Sequence, residues 1–375
     1  MIAAARAFLN NGEVASFALI WLTLVIFGVV MVGSAAIALP GNYLVKHLFY
    51  LVVAAVGFML VIAIPTSLMS RLATPAWFVT IVISVLVLLP GIGLEVNGAK
   101  RWLRIAGFTI QASEVAKIGV MLYLASYLAR FAQTLPHEPK RLFIPLGMVG
   151  LVLGLLIAEP DLGSAVVIMV ASAGLLFLAG VKLRYFFLLV AVLLALLVLL
   201  IWIEPYRMQR LTSFSDPWSV AFGSGYQLTQ ALIAFGRGEM FGLGLGESIQ
   251  KLYYLPEAHN DFIFAVIAEE LGAFGTVSVL LVFTLLILKI MKIAKRQLEV
   301  RKFFAGYACY FIALVFACQL LISLGVNTGV LPTKGLTLPF VSYGGNSLLV
   351  SCAMCAVVFR CLIEEQDSVK GAPRG

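Results

Sequence analysis

Three carboxylates stand within ten residues of one otherwise apolar stretch of this chain. Asp261 lies where a polar loop becomes an apolar helix, and Glu269 and Glu270 follow about two helical turns later. A carboxylate at the centre of a membrane helix costs about 2.5–3.5 kcal/mol. Three of them so close together need a physical reason, and a site that handles charge or protons is the reason we favour.

The position of Asp261 has two interpretations. A carboxylate at a helix N-terminus is stabilised by free N–H groups and by the helix dipole, so Asp261 could be no more than an N-cap. It could equally be a general base at a partly dry interface, where neighbouring charges set its readiness to accept a proton. His259 could be its proton partner, although a single loop histidine is more often structural.

A second pair of charges, Glu114 and Lys117, is spaced three residues apart in another apolar stretch. Both side chains therefore share one helix face and can pair. The pair could simply fix helix packing, or it could form a polar wall of a substrate cavity. The loop before it carries Arg101 and Arg104, whose guanidinium groups suit phosphate oxygens.

Two further segments combine glycine and proline with polar side chains. Proline and glycine explain the turn at 159–163, and we expect Asp161 to cap the helix that follows. The segment 334–347 contains Lys334 and Ser342, and its glycines allow close approach of the backbone to a neighbour. It could be a glycine-packed helix start or could offer donors to a ligand. It lacks the Lys-Ser/Thr step of a nucleotide-binding loop.

The composition indicates the class of protein. Of 375 residues, 62% are hydrophobic and 12% are charged, whereas a soluble domain is about 45–50% apolar and about 25% charged. The chain is therefore expected to be a polytopic membrane protein. Its net charge of +8 does not indicate nucleic-acid binding, because no long basic run or aromatic-interleaved basic patch is present.

The apolar segments predict an all-α fold with ten transmembrane helices. A helix needs about 20 apolar residues to cross the hydrocarbon core of a bilayer. The predicted spans are 15–38, 47–65, 76–94, 113–132, 143–159, 163–180, 185–203, 262–288, 303–326 and 341–363.

The distribution of basic residues predicts the direction in which the chain crosses. Most of the 26 Lys and Arg residues fall into alternate loops and the two tails, which places both termini in the cytoplasm. The predicted outer loops also contain basic residues, which indicates an anionic ligand on the outer face or anchoring by lipid headgroups. These residues are Lys46, Lys100, Arg101, Arg104, Arg207, Arg210, Arg237, Lys251 and Lys334.

The chain is predicted to consist of a cytoplasmic tail at 1–14, a transmembrane domain at 15–363 and a second cytoplasmic tail at 364–375. Within the transmembrane domain, 204–261 forms a large extracytoplasmic loop between the seventh and eighth spans. Long loops in compact folds are usually functional. Apolar residues from Leu228 to Phe235 recur with helical spacing, so we expect an amphipathic helix lying on the membrane there.

Six motifs in these segments resemble those of the SEDS family, and the resemblance covers nearly the whole chain. The motifs are Asn97–Trp102, Gln111–Lys117, Pro160–Gly163, Gly223–Gln227, Leu255–Phe262 and Pro339–Gly345. The segments 234–238, 251–258 and 331–337 are similar to the family members that act in cell division. The resemblance implies ten membrane helices and a peptidoglycan glycosyltransferase that polymerises lipid II on the outer face of the bacterial inner membrane, at the division septum.

Residue by residue, the resemblance assigns the family's essential aspartate to Asp261 and the Glu and Lys of its fourth helix to Glu114 and Lys117. It implies a partner that crosslinks the new glycan, a class B penicillin-binding protein of the FtsI type. It also implies division activators of the FtsQ, FtsL, FtsB and FtsN type.

The chain departs from the usual family pattern at three positions. Glu159 stands where Gln is common, Asn260 where Thr or Ser is common, and Asn346 where Ser is common. None of these differences removes an acid–base group, so the resemblance still implies activity.

The favoured hypothesis is an enzyme in which Asp261 takes a proton from the sugar 4-hydroxyl of the acceptor lipid II. That hydroxyl attacks the anomeric carbon of the donor, polyprenyl pyrophosphate leaves, and an α-linked donor gives a β-1,4 product with inversion. A divalent cation, Mg²⁺ or Mn²⁺, could help to stabilise the leaving group, although no closed set of metal ligands is evident. The expected substrate-binding residues are Arg101, Arg104, Arg210, Arg237, Glu114, Lys117, Lys334 and Ser342.

Two other hypotheses remain open on the sequence. A lipid II flippase would use buried Glu114, Lys117 and Glu269 as a path for an anionic headgroup. A non-catalytic scaffold would recruit the crosslinking partner and the division machinery through outer loops and apolar helix faces. The polar motifs cluster at the predicted outer face, whereas a flippase needs polar groups through the whole membrane depth, which favours the enzyme.

Overall fold

The computed structural model describes residues 12–96, 98–105, 107–131, 134, 138–203, 214, 216–332 and 335–370. The helices are α1 (Gly12–Ala35), α2 (Tyr43–Ala63), α3 (Thr66–Arg71), α4 (Ala73–Leu88), α5 (Ala112–Phe131), α6 (Phe143–Ala158), α7 (Leu162–Leu178), α8 (Leu183–Ile203), α9 (Tyr226–Gly238), α10 (Ile263–Glu299), α11 (Phe303–Asn327) and α12 (Gly345–Lys370). The strands are β1 (Gly93–Val96), β2 (Ala99–Ile105) and β3 (Phe108–Gln111).

The helices confirm the prediction of a multi-pass membrane protein. Each predicted span overlaps one helix, because a helix satisfies all its backbone polar groups within the segment that meets lipid. Within the described residues, six helices are long and apolar enough to cross a membrane. They are Gly12–Ala35, Tyr43–Ala63, Lys140–Ala158, Ile263–Glu299, Phe303–Asn327 and Gly345–Gln366.

The prediction of an all-α fold is wrong for residues 93–111. This segment forms an antiparallel sheet in the order β1-β2-β3, with Leu103 of β2 opposite Ile110 of β3. Gly98 and Gly107 lie in the two turns with φ of +74° and +87°, values that favour glycine. Leu103 is buried together with residues at the end of α4 and the start of α5, so the sheet is seated on that pair of helices.

The helix α10 extends past the predicted end of the eighth span at residue 288 and continues to Glu299. Four basic residues that the span prediction placed in a loop lie on the helix instead: Lys289, Lys292, Lys295 and Arg296. Arg296 Nε pairs with Glu365 Oε1 at 2.6 Å, and Arg296 Nη1 contacts Glu13. This cluster joins α1, α10 and α12 at the end of the bundle that is predicted to face the cytoplasm.

The helix α10 is interrupted at Gly272, whose φ of +66° and ψ of −167° are not helical. The carbonyls of Glu269 and Glu270 instead accept hydrogen bonds from the backbone N–H groups of Leu243 at 2.9 Å and Gly244 at 3.0 Å. A Cβ on Gly242 would lie 2.1 Å from the Glu270 carbonyl oxygen, so only glycine permits this approach. The glycine-rich segment around Gly242 therefore inserts its backbone into a break in the helix.

The amphipathic helix expected near residues 228–235 is present as α9. Its apolar face is buried, with Leu228, Ala231 and Ala234 at 2% exposure or less. A Cβ on Gly238, at its end, would lie 1.8 Å from the Ala268 carbonyl oxygen. This helix thus packs on the transmembrane helix α10; whether it also touches the membrane surface stays a prediction.

Candidate active site

Asp261 lies at the end of the loop that leads into α10. The helix begins at Ile263, and the N-cap position belongs to Phe262, whose side chain makes no cap hydrogen bond. Asp261 is therefore one residue ahead of the N-cap, and the N-cap interpretation of this residue is wrong. Its side chain is half-buried, which suits a group that must meet a substrate from a partly dry position.

Hydrogen bonds to three consecutive carbonyls hold the backbone of this loop in place. The carbonyl of His259 accepts from the backbone N–H of Tyr343 at 2.9 Å, and that of Asn260 accepts from Ser342 Oγ at 2.7 Å. The carbonyl of Asp261 accepts from the side-chain Nδ2 of Asn327 at 3.0 Å. The donors come from α11 and from the segment before α12, so tertiary packing sets the position of the loop.

Ser342 is among the predicted substrate-binding residues, and it is buried at 3% exposure. Its hydroxyl donates to Asn260 and accepts from the backbone N–H of Leu338 at 2.9 Å. Both bonds are internal, so in this structure Ser342 holds the loop of Asp261. Direct contact of Ser342 with a substrate stays a prediction.

The segment 335–344 lies directly against the carboxylate of Asp261. A Cβ on Gly335 would be 2.9 Å from Asp261 Oδ2, so the missing side chain lets the backbone approach the carboxylate. The next residue, Leu336, packs on Gly163 at the start of α7, where a Cβ would lie 3.1 Å from Leu336 Cγ. This contact connects the loop of Asp261 to the turn between α6 and α7. The predicted ligand Lys334 lies outside the described residues.

The turn between α6 and α7 is also attached to the sheet. Asp161 caps α7 as predicted, since its Oδ1 accepts from the Ser164 N–H at 3.3 Å, and its Oδ2 accepts from Gln111 Nε2 at 3.3 Å. Arg101 Nη2 donates to the Pro160 carbonyl at 2.5 Å. The predicted ligand Arg101 thus has a structural contact here, whereas Arg104, also on β2, is exposed.

Glu114 and Lys117 lie in the first two turns of α5, directly after β3. Lys117 Nζ donates to Glu114 Oε1 at 2.8 Å, and both side chains are buried, at 2% and 6% exposure. The second carboxylate oxygen, Glu114 Oε2, has no hydrogen-bond partner among the described residues. Asn346 at the start of α12 donates to the Thr109 carbonyl at 2.8 Å, which attaches β3 to the helix that follows the 335–344 segment.

An aromatic cluster surrounds His259. The ring centroid of Tyr43 is 4.9 Å from that of His259, and the Tyr343 ring lies 5.5 Å from it. Burial lowers the pKa of His259, against the opposing effect of Glu257. Burial thus favours the neutral imidazole, and His259 Nδ1 has no hydrogen-bond partner within the described part of the chain. The role of His259 as proton partner stays a hypothesis.

Glu269 and Glu270 are fully buried, and both bind the segment between α9 and α10. Glu270 accepts from Lys251 Nζ at 2.7 Å and from Ser34 Oγ at 2.6 Å. Lys251 is itself buried and also donates to Ser34 Oγ at 2.9 Å and to the Gly246 carbonyl at 2.6 Å. The expectation that this carboxylate serves a charge-handling site is thus replaced by an anchoring role.

Glu269 has a comparable set of partners. Its Oε1 accepts from Arg237 Nε at 3.0 Å, and its Oε2 accepts from Ser248 Oγ at 2.5 Å and from the Gln250 N–H at 3.1 Å. These contacts engage the predicted pyrophosphate ligand Arg237, whose side chain is 42% exposed. They also occupy the Glu269 carboxylate that a flippase path would need. The predicted ligand Arg210 lies outside the described residues.

No group of three His, Cys, Asp or Glu side chains that could hold a metal converges among the residues that the structure describes. These residues therefore do not fit a metal site built by the protein alone. A divalent cation that is also bound by the substrate stays a prediction, and we derive no chemical step through it.

Sequence reasoning missed three residues that shape the site: Asn327, Lys251 as an anchor, and Ser34. Asn327 carried a usable signal, because an amide in an apolar helix must find hydrogen-bond partners. No sequence signal indicated the contacts of Lys251 and Ser34, because Ser34 and Glu270 are 236 residues apart in the chain.

The profile of the FtsW/RodA/SpoVE family, described as "Cell cycle protein", matches residues 14–367. The chain is 45% identical to the "Probable peptidoglycan glycosyltransferase FtsW" of Coxiella burnetii, over 92% of this chain and 95% of the relative. It is 46% identical to the protein of the same name from Alcanivorax borkumensis, over 95% of each chain.

Two solved structures have a similar fold. A chain from "Structural coordination of polymerization and crosslinking by a peptidoglycan synthase complex" aligns with a TM-score of 0.77 and 27% identity, over 94% of this chain and 97% of that one. The rod shape determining protein RodA of Thermus thermophilus aligns with a TM-score of 0.68 and 27% identity, over 94% and 96%. The family motifs, the profile match over most of the chain and the shared fold agree: this chain belongs to the FtsW/RodA/SpoVE family of cell cycle proteins.

Proposed function

We propose that this protein is a peptidoglycan glycosyltransferase that polymerises lipid II during septal wall synthesis. The observation that carries the proposal is the placement of Asp261. Its carboxylate is half-buried in a loop whose carbonyls are held at three consecutive residues, and the backbone of Gly335 approaches it closely. Two relatives named peptidoglycan glycosyltransferase, at 45% and 46% identity, support the same activity.

In the proposed reaction Asp261 accepts the proton of the 4-hydroxyl of the acceptor sugar. The oxygen forms a bond to the anomeric carbon of the donor, and the bond from that carbon to the pyrophosphate breaks. The polyprenyl pyrophosphate leaves with the electron pair, and the configuration at the anomeric carbon inverts. A held carboxylate is suited to this step, because a general base must lie about 2.6–3.2 Å from the oxygen that it deprotonates.

The leaving pyrophosphate requires positive charge. Arg104 is exposed on β2 and is open to a ligand, and Lys117 is buried on α5 with Glu114 as its internal partner. We propose these two with Arg101, Arg210 and Lys334 as the groups that stabilise the pyrophosphate. Arg237 is a weaker candidate, because its guanidinium already pairs with Glu269.

We further propose ten membrane crossings, with both termini in the cytoplasm and Asp261 on the outer side of the inner membrane, at the septum. The overlap of the ten predicted spans with helices supports this topology. A structural relative comes from a complex that couples polymerisation to crosslinking, which supports a class B penicillin-binding protein as partner here. Division activators of the FtsQ, FtsL, FtsB and FtsN type complete the proposed assembly.

The test is polymer formation from lipid II by the purified protein with its crosslinking partner. We expect Asp261→Ala and Asp261→Asn to lower the polymerisation rate by a factor of about 10²–10⁴, the usual contribution of a general base. Both variants should unfold at the temperature of the parent. Asp216→Asn, which changes an exposed aspartate of the outer loop, is the matched control and should polymerise normally.

Other outcomes would contradict the proposal in different ways. If Asp261→Ala polymerises as fast as the parent, Asp261 is not the base. If vesicles containing the parent protein move labelled lipid II across the bilayer and form no polymer, the flippase hypothesis holds instead. If Asp261→Asn supports normal cell division, the result favours the hypothesis of a non-catalytic scaffold.

A further inference from the structure

Asn327 is a fully buried amide at the C-terminal end of α11. Its Nδ2 donates to the Asp261 carbonyl at 3.0 Å and to the Ser323 carbonyl of its own helix at 2.8 Å. Its Oδ1 accepts from the backbone N–H of Ala265 at 3.1 Å, in the first turn of α10. Both donor hydrogens and the acceptor of one side chain are thus in use, and they join two helices.

These contacts replace a missing helix cap. The first N–H groups of a helix have no partner within it and are usually satisfied by the N-cap side chain. In α10 the N-cap is Phe262, whose side chain cannot accept a hydrogen bond. The Ala265 N–H is shared between the Phe262 carbonyl, at 3.0 Å, and Asn327 Oδ1, which supplies the side-chain acceptor from a neighbouring helix. The same amide group therefore fixes the start of α10 and the carbonyl of Asp261.

We propose that Asn327 is a positioning residue for polymerisation, which holds the backbone of Asp261 so that its carboxylate meets the acceptor hydroxyl. The inference rests on the proposed function, in which Asp261 is the general base. Asn327 acts through the backbone of Asp261 and the first turn of α10, so it is not itself a catalytic residue.

Catalysis is sensitive to this kind of support. A misplacement of about 1 Å of a catalytic group can lower the rate about a hundredfold. Substrate affinity need not change to the same extent, because the lipid chains and sugars of the substrates bind over a much larger surface. Loss of the Asn327 contacts should therefore lower kcat much more than it raises KM for lipid II.

The experiment compares three variants in the complex with the crosslinking partner: Asn327→Ala, Asn327→Asp and Ser323→Ala. Asn327→Ala removes all three contacts. Asn327→Asp keeps the shape and the acceptor but replaces the donor by a second carboxylate near Asp261. Ser323→Ala is the matched control, because Ser323 lies one turn earlier on α11, is equally buried, and its hydroxyl has no partner among the described residues.

We expect Asn327→Ala to lower kcat at least about tenfold per folded molecule, with KM for lipid II within about threefold of the parent. In Asn327→Asp the acid limb of the pH–rate profile should move to higher pH, because a nearby like charge opposes ionisation of the base. Ser323→Ala should match the parent in rate and pH profile. The folded fraction of each variant is measured by its thermal unfolding in detergent.

The proposal is overturned if Asn327→Ala retains the parental kcat per folded molecule, or if the acid limb of a folded Asn327→Asp variant coincides with that of the parent. If Asn327→Asp does not fold, the test of the positioning role is the loss of kcat in Asn327→Ala compared with its change in KM for lipid II. An inactive Asp261→Ala together with a fully active Asn327→Ala would refute the positioning role and leave the proposed function intact. An active Asp261→Ala would refute the base itself.

Discussion

The acidic residues of the α10 region fall into two environments separated by about two helical turns. Asp261 is half-buried, stands before the N-cap and is held through its backbone carbonyl. Glu269 and Glu270 are fully buried and are held through their carboxylates, which accept hydrogen bonds from Arg237, Lys251 and several other donors. The Asn327 contact of Asp261 holds its backbone, and the contacts of Glu269 and Glu270 with Arg237 and Lys251 neutralise the charge of the two side chains.

This difference separates a candidate base from two anchors. A carboxylate whose lone pairs are already occupied by fixed donors cannot readily take a proton from a substrate. The density of acidic residues predicted a functional region, and the partners of Glu269 and Glu270 assign those two residues an anchoring role.

The strongest test of the comparison removes the counter-ion of Glu270. We expect Lys251→Ala to lower the free energy of unfolding by about 3–5 kcal/mol, because a buried carboxylate loses its partner. Thermal unfolding in detergent, followed by tryptophan fluorescence, measures the change.

Lys295→Ala is the matched control, since Lys295 and Glu299 form an exposed pair at 3.9 Å, and it should change stability by less than about 0.5 kcal/mol. The double variant Lys251→Met/Glu270→Gln should lose less stability than Lys251→Ala, because no buried charge remains. Equal losses of unfolding free energy in Lys251→Ala and Lys295→Ala would contradict the anchoring role of Glu270.

A third buried carboxylate sharpens the comparison, because Glu159 lacks the partners that Glu269 has. It is fully buried, and neither oxygen accepts a hydrogen bond of normal geometry from the described residues. Burial raises the pKa of Glu159 to about 8, outweighing the nearby Ser84 hydroxyl and Arg101 guanidinium, which favour the charged form. Because the folded-state pKa lies above the unfolded value of about 4.5, the protonated side chain stabilises the protein at low pH.

That stabilisation is lost as the pH rises toward 8. We therefore expect Glu159→Gln to gain stability relative to the parent by about 1.4 kcal/mol between pH 6 and pH 7. Unfolding temperatures of both proteins across pH 5–9 measure the gain. A constant difference between the two proteins over that range would mean that Glu159 is charged and has a partner.

The smallest expected effect concerns Arg237, which is partly exposed. Arg237→Ala should cost about 1 kcal/mol or less in unfolding free energy, since Glu269 keeps its bonds to Ser248 and Gln250. A double-mutant cycle with Glu269→Gln on the polymerisation rate separates anchoring from substrate binding. If Arg237 acts through Glu269, the second substitution adds little; if it binds pyrophosphate, Arg237→Ala lowers the rate equally in both backgrounds.

Much of the fold could be read from the sequence, because lipid permits few solutions. Apolar runs of sufficient length predict helices, and every predicted span overlaps one. The sheet at 93–111 was missed because two short hairpins within a polar, glycine-containing loop carry no strong apolar period. The end of α10 was missed because hydropathy reports where lipid ends, whereas a helix can continue into the aqueous phase.

The candidate site could be predicted only in part. Asp261 and the pair of Glu114 and Lys117 were recognised, and the pairing is confirmed because a spacing of three residues places both side chains on one face. The uses of Ser342 and Arg237 were not foreseen, since their partners Asn260 and Glu269 come from other elements.

The sequence by itself determined that this is a membrane protein of mostly helical fold and which family it belongs to, because hydropathy and local motifs are properties of neighbouring residues. Tertiary structure alone decided which carboxylates are anchors and which backbone carbonyls are held. Those roles depend on contacts such as Asn327 with Asp261 and Ser34 with Glu270, which only the packed bundle brings within hydrogen-bond distance.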